Sequence, residues 1–385
     1  MKNTQCRGCN SANLVTLHDF GLQPLAGSYP AVPNNLHEEP KYPLDLSKCQ
    51  NCGLIQVTNL PPIELIFHDD YRYSTSTIPT LVQHFKEYAN WLNLQLSPKS
   101  NILEFGCNDG TLLQFLQQKG FVCKGVDASD NVANLAREKG LDVVTGFLST
   151  ELVVSQALVN KFQLVTCSNV FAHIDNLMVT LSAVRLLLVK DGLFAIEVHD
   201  GELLDREGQF DTIYHEHLTY FTEPSLRQLL ERNGFVVISC EKTSMHGGGL
   251  RVIARKTETM VCQLDIVLET IDTRDFVAPS LMRCIEDLGN LYKAHGPLVG
   301  YGAAGRAQMF INMTKSSSIF SCIFDDSPLR QKRYVAGTNI PILPYLNPTG
   351  KCLVILAWNY APYIKEKVKA DYQEIWTLLP TLQKH

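Results

Sequence analysis

Residues 101–116, NILEFGCNDGTLLQFL, decide how this chain folds. Ile102, Leu103 and Phe105 make a short apolar strand, and Leu112, Leu113 and Leu116 recur at helical spacing after it. Between them lie Glu104, Gly106, Asn108 and Gly110, in a strand-to-helix turn where glycine lets a ligand approach the backbone closely. The spacing is GxxxG behind an acidic residue, which lacks the GxGxxG pyrophosphate fingerprint of dinucleotide folds.

Working outward, an amphipathic helical stretch, Ile78 to Leu96, precedes the turn. The strand FVCKGVD ends in Asp127, which is placed to accept the two hydroxyls of a ribose. DVVTG stops just before Phe147, a candidate adenine neighbour. FQLVTCSNV ends at Asn169, and GLFAIEVHD ends at His199 and Asp200. Alternating strand and helix patterns predict a parallel sheet with ligands at the carboxyl ends of its strands. Glu104, Gly106, Gly110 and Asp127 together resemble the S-adenosylmethionine site of the class I methyltransferases.

Toward the N-terminus, Cys6, Cys9, Cys49 and Cys52 form two CxxC pairs. Two residues between thiolates let both sulfurs reach one tetrahedral ion, so a closed, structural Zn2+ site is expected. The other eight of the twelve cysteines read as small core residues in a reduced chain. Toward the C-terminus, a helical stretch from Ala278 to Tyr292 leads into PLVGYGAAGRAQMFIN, a second strand, glycine turn and helix. Gly302, Ala303 and Ala304 would present N–H groups to a phosphate, with Arg306 adding charge. Asp325 ends the next strand pattern, and LVILAWNYA ends another at Trp358 and Asn359.

YHEHLTYF, 214–221, sits between strand five and a helix that Thr222 caps and Pro224 starts. That position arches over the carboxyl edge of the sheet. A proton-transfer site, a metal site and a solvated turn all remain open for its two histidines and glutamate. His246, in MHGGGLR, either contacts substrate or precedes a glycine turn.

A formal net charge of -5 over 385 residues gives no electrostatic footprint for nucleic acid. No stretch has the apolar length to span a bilayer, and MKNTQCRGCN has no apolar leader core. A cytoplasmic monomer with neither nucleic-acid nor membrane partners is expected.

The combination resembles the zinc-containing C-methyltransferases that act on nucleotide-linked 4-keto-deoxyhexoses. DDYRYSTS, ILEFGCNDG, SNVFAHIDN, YHEHLTYF, MHGGGLR, GYGAAGRAQ and LAWNYA match the family's signatures in order, over nearly the whole length. The resemblance implies an α/β chain of three domains. These are a zinc-binding domain (1–68), a class I methyltransferase Rossmann-like domain (69–258) and a C-terminal Rossmann-like domain (259–385) that helps to hold a nucleotide-diphosphate sugar. It further implies that Tyr214, Glu216 and His217 lie in the active site, with His217 as base. His173 and either Tyr71 or Tyr73 match other polar positions there. His246, Asp325, Trp358 and Asn359 join the glycine turn as candidate substrate contacts. One departure stands out, because Arg306 occupies a place where the family usually carries lysine. A methyltransferase of another small molecule, with the third domain as scaffold, and a non-catalytic binding protein are the competing readings.

Overall fold

The computed structural model describes residues 3–33, 39–62, 65, 75–77, 79–258, 272–346 and 350–385. Tyr71, Tyr73, Cys262 and the expected domain boundaries near 68 and 259 lie outside the described residues. The N-terminal part is an antiparallel sheet of β1 (Leu14–Gln23), β2 (Tyr42–Cys49) and β3 (Ile55–Val57).

The middle of the chain alternates as the apolar periodicity predicts. It runs α1 (Pro79–Asn93), β4 (Asn101–Phe105), α2 (Thr111–Gln118), β5 (Val122–Asp127), α3 (Asp130–Glu138) and β6 (Val143–Thr145). It continues through α4 (Thr150–Ser155), β7 (Phe162–Ser168), α5 (Leu177–Leu187), β8 (Leu188–His199) and α6 (Leu203–Arg206). After β9 (Thr219–Tyr220) come α7 (Glu223–Arg232), β10 (Phe235–Thr243) and β11 (Gly249–Lys256). The sheet order is β10-β11-β8-β7-β4-β5-β6, with all strands running the same way except β11, which is antiparallel to both of its neighbours. This is the class I methyltransferase fold, with a glycine turn at the carboxyl end of the central strand β4.

Local chemistry explains the boundaries. Helix α1 buries Leu81, Phe85, Tyr88, Ala89 and Leu92, one stripe at helical spacing. Helix α7 begins with a reciprocal cap between Thr222 and Ser225, and Gly234 (φ 75°) follows its end.

A second Rossmann-like sheet follows. Helix α8 (Val277–His295) leads to β12 (Leu298–Tyr301), α9 (Gly305–Met313), β13 (Phe320–Phe324), β14 (Arg333–Tyr334) and β15 (Pro341–Leu343). β16 (Gly350–Ile355), α10 (Ala361–Val368), β17 (Tyr372–Thr377) and β18 (Gln383–Lys384) complete it. Its order is β14-β15-β13-β12-β16-β17-β18, antiparallel only at the two edges.

One strand crosses the three-part division. β9, directly after the histidine segment, pairs antiparallel with β3 of the N-terminal sheet, Ile55 opposite Tyr220. Phe210, Ile213 and Tyr220 then bury in one core with Leu44, Leu46 and Val57 of the N-terminal sheet and Met309 and Phe310 of α9. Each fully buried side chain of this kind contributes about 1.5–3 kcal/mol. The histidine segment is therefore held from both neighbouring units. No helix among the described residues is long and apolar enough to cross a membrane.

Candidate active site

The four N-terminal cysteines converge. Their sulfurs all lie within 4.8 Å of one another, with Cys6 and Cys52 Sγ 3.4 Å apart and Cys9 and Cys49 Sγ 3.6 Å apart. Zinc–sulfur bonds of about 2.3 Å in a tetrahedron require sulfur separations of about 3.8 Å, so the four donors fit Zn2+. Four thiolates close the shell, and the site is structural. Arg7, inside the first knuckle, sends Nη1 to the Val57 carbonyl (2.6 Å) and Nε to Asp175 Oδ1 (2.9 Å). It thereby ties the zinc site to the loop after β7. Among the described residues no other cluster could hold a metal ion. His215 turns away from the cleft and donates to the Pro43 carbonyl (3.2 Å), which removes the metal reading of His215, Glu216 and His217.

The β4 turn opens on a cavity of ≈ 390 Å3 lined by Glu104, Gly106, Asn108, Asp127, Phe147 and Asn169, with His173 and His246 at its wall. Gly106 (φ 66°) admits no side chain, because a Cβ there would lie 2.2 Å from Val170. Gly110 (φ 75°) is equally constrained, 2.1 Å from Leu141. Asp127 accepts the Asn108 N–H (2.7 Å) and the Ser129 N–H (2.9 Å), which orients its carboxylate at the cleft. Glu104 is 3% exposed, and its Oε2 has no protein partner. Burial, with Asp127 and Asp109 nearby, holds its carboxyl well above the usual range. A buried carboxyl at Glu104, the carboxylate of Asp127 at the end of β5 and a glycine turn that exposes backbone fit S-adenosylmethionine.

His217 stands one ring beyond this cleft. Its Nδ1 faces the Thr212 carbonyl at 2.8 Å, so that nitrogen carries the proton. Nε2 is then the acceptor for the Tyr214 hydroxyl at 2.8 Å. Burial, helped by His173, His199 and Arg306, holds His217 well below 6.5 and hence neutral. The His173 ring packs edge-on at 4.9 Å, itself lowered to about 4 by burial. His173 also hydrogen-bonds the backbone of Glu216 and Asn169, joining the arch to the cofactor cleft. Glu216 points the other way. Burial raises its carboxyl to about 7, and it takes a hydrogen bond from the Gly27 backbone of the N-terminal unit.

Behind Asn169 lies a buried network that sequence reasoning missed. His84 Nε2 meets Glu197 Oε1, Ser168 Oγ donates to the same oxygen (3.1 Å), and Arg251 binds Oε2 (2.7 Å). Burial would raise Glu197, but His84 and Arg251 outweigh it and hold the carboxylate charged. An acidic residue in the middle of the apolar run FAIEVH was the available signal.

The third unit differs from expectation. Ala303 N–H donates to Asp325 Oδ2 (2.7 Å), and Asp325 also takes Ser327 N–H (2.8 Å) and faces Arg330 (3.3 Å). Tyr29 donates to the Ala303 carbonyl (3.2 Å), and a Cβ at Gly305 would stand 3.3 Å from Ala26. Gly302 (φ 90°) is pressed against Ala357, and Ala304 caps α9 without a side-chain bond. Arg306 does not stand free for a phosphate, because it is paired with Asp211. Trp358 donates its indole N–H to the same carboxylate (2.9 Å). Asn359 and Trp358 line a second cavity of ≈ 380 Å3 shared with Asp200, Arg206 and Lys242. His246 sits in a left-handed turn (φ 55°) whose carbonyl accepts from Arg306 (2.7 Å), so it joins the units as well as lining the cleft.

Three family models match the chain in succession. They are a zinc binding domain over residues 6–67, a methyltransferase domain over 81–240 and a C-methyltransferase C-terminal domain over 277–376. The C-methyltransferase NovU of Streptomyces niveus is 29% identical over 390 residues, covering 95% of this chain and 92% of NovU. A ubiquinone biosynthesis O-methyltransferase of Histophilus somni is 26% identical over 122 residues, 30% of this chain and 49% of that protein. Among solved structures, the PH0226 protein of Pyrococcus horikoshii aligns with 50% of this chain and 100% of its own, at TM-score 0.41 and 18% identity. Magnesium protoporphyrin IX methyltransferase of Synechocystis, with bound SAH, aligns with 46% of this chain and 83% of its own, at TM-score 0.38 and 20% identity.

Proposed function

Because the chain belongs to the zinc-containing, S-adenosylmethionine-dependent C-methyltransferases, we propose that its substrate is a nucleotide-diphosphate-linked 4-keto-6-deoxyhexose, methylated at C3 through an enolate. The observation that carries this is His217, neutral and with its Nε2 lone pair aimed by Thr212 and Tyr214, one ring from the cofactor cleft. The proposed units are those of the sequence: a zinc-binding domain, the methyltransferase domain, and a third domain that closes over the sugar nucleotide.

A 4-keto group acidifies the hydrogen on C3, and a base must remove it while a donor meets the developing oxyanion. In this scheme Nε2 of His217 takes the C3 proton, and the electron pair of the C–H bond passes into the C3–C4 enolate. The Tyr214 hydroxyl, released from Nε2, donates to the oxygen at C4. The Thr212 carbonyl holds the Nδ1 proton and stabilises the imidazolium that forms. Bound S-adenosylmethionine supplies an electrophilic sulfonium methyl to the nucleophilic carbon. Glu216, its carboxyl raised by burial to about 7, is engaged with the Gly27 backbone, so Tyr214 rather than Glu216 assists the base. His173 and Asn169 shape the wall between cofactor and sugar.

His217→Asn tests the scheme. Methyl transfer and solvent hydrogen exchange at C3 of a nucleotide-linked 4-keto-6-deoxyhexose should both fall, on the order of 100- to 10,000-fold. Full exchange and turnover in the variant would remove His217 from the mechanism.

A further inference from the structure

The third unit's glycine turn has the shape of a phosphate cradle, yet the cation beside it is committed elsewhere. Arg306 is the second residue of α9, with its side chain 15% exposed. Its Nε and Nη2 grip the two carboxylate oxygens of Asp211 at 2.9 and 2.8 Å. Nη1 donates to the His246 carbonyl (2.7 Å), and Nη2 also reaches Gln209 Oε1 (3.3 Å). The guanidinium face lies 4.7 Å from the Trp358 ring centre. Asp211 is fully buried. A buried pair of this kind is tolerated only when geometry and additional hydrogen bonds offset the desolvation of both ions. Here the fork geometry, the carbonyl and the indole N–H supply them.

Asp211 lies in the turn Phe210–Thr212, three residues before Tyr214. Thr212, the next residue, is the one whose carbonyl holds His217 Nδ1. Phe210, on the other side, stacks on Phe310 of α9 with ring centres 5.8 Å apart.

We infer that Arg306 is a positioning residue: by clamping Asp211 it orients the Thr212 carbonyl and through it the His217 ring, instead of binding substrate phosphate. The kinetic part rests on His217 being the base, as proposed above; the structural part does not. Lysine in this place would keep the charge but lose the fork, since an ammonium cannot span both carboxylate oxygens and a carbonyl in one plane. The groups facing His217 are Tyr214, Thr212 and Tyr220 of its own segment, His173 of the turn after β7, His199 of β8 and Arg306 of α9.

Three full-length variants, Arg306→Lys, Arg306→Gln and Asp211→Asn, test the inference. Arg306→Lys and Asp211→Asn should each lower kcat on the order of 10- to 100-fold, with KM for the sugar nucleotide changed by less than about threefold. Their double variant should be little worse than the weaker single, because both break one unit. Histidine-labelled NMR supplies a readout independent of turnover. In Arg306→Gln the His217 titration should move up, because a cation that disfavours its protonation is gone. A wild-type kcat in Arg306→Lys with raised KM in Arg306→Gln would identify a phosphate ligand and overturn the inference. An unmoved His217 signal in both Arg306→Gln and Asp211→Asn would overturn it as well, whatever the His217→Asn experiment says about the base.

Discussion

The chain builds a strand, glycine turn and helix twice, and the two turns have different uses. In both, an aspartate at the end of the neighbouring strand accepts a backbone N–H from the turn: Asp127 from Asn108, and Asp325 from Ala303. What differs is the space in front. The β4 turn opens on the cavity that fits S-adenosylmethionine. The β12 turn is covered by Ala26 and Tyr29 of the N-terminal unit, and Arg306 leaves it for Asp211. A glycine turn is thus a licence for close approach, and the approaching partner can be a ligand or another part of the same chain.

Three experiments can break or sharpen that contrast. The largest effect is expected from alanine at the paired glycines. Gly106→Ala and Gly302→Ala each force a Cβ onto a left-handed backbone and into a neighbour, at 2.2 Å from Val170 and 2.5 Å from Ala357. Both should lose about 2–5 kcal/mol of stability from backbone strain and overpacking. Only Gly106→Ala should also weaken S-adenosylmethionine, by about tenfold or more in calorimetric titration. Equal loss of affinity in both would erase the distinction.

The paired aspartates come next. Asp127→Asn removes a charged acceptor for the ribose and should cost about 1–3 kcal/mol of cofactor binding. Asp325→Asn should leave that affinity unchanged and lower the denaturation midpoint instead. Cofactor binding that responds to Asp325 would mean that the second turn senses the ligand.

The smallest effect near neutrality lies in pH. Burial lowers His173, His199 and His246 to about 4 in the folded chain, so the unfolded chain binds more protons below 6.5. Stability should therefore fall as pH drops from about 6.5 toward 4, as read by denaturant midpoints. All three histidines lie around the middle cleft and its joint with Arg306, so acid should loosen that side first, visible as earlier hydrogen exchange in 209–217 than in β12 to β13. A midpoint that rises across that window would show that Glu104 and Glu216, whose raised carboxyls favour folding on the same descent, outweigh the histidines.

Much of this was legible in the sequence. The periodicity around Gly106, the CxxC spacing and the capped start of α7 depend on residues within a few positions of one another. Local sterics, helix and strand periods and thiolate reach determine such features without help from the rest of the fold. The dense patch Tyr214–Phe221 could be placed beside the cofactor edge for the same reason, from its neighbours in the chain.

The orientation of each side chain in that patch was decided only by tertiary contacts. His215 turns to Pro43, Glu216 to Gly27 and Tyr214 to His217, while β9 leaves its own unit to pair with β3. Arg306 meets Asp211 across 95 positions of sequence, and Gln308 meets Ala26 across 282. Such partners follow from which surfaces three folded units bury against each other, and desolvation then obliges every buried charge and donor to find a mate there. The chain by itself determined which residue types are available for chemistry; the packing of the three units decided whether each one faces the cleft or a neighbour.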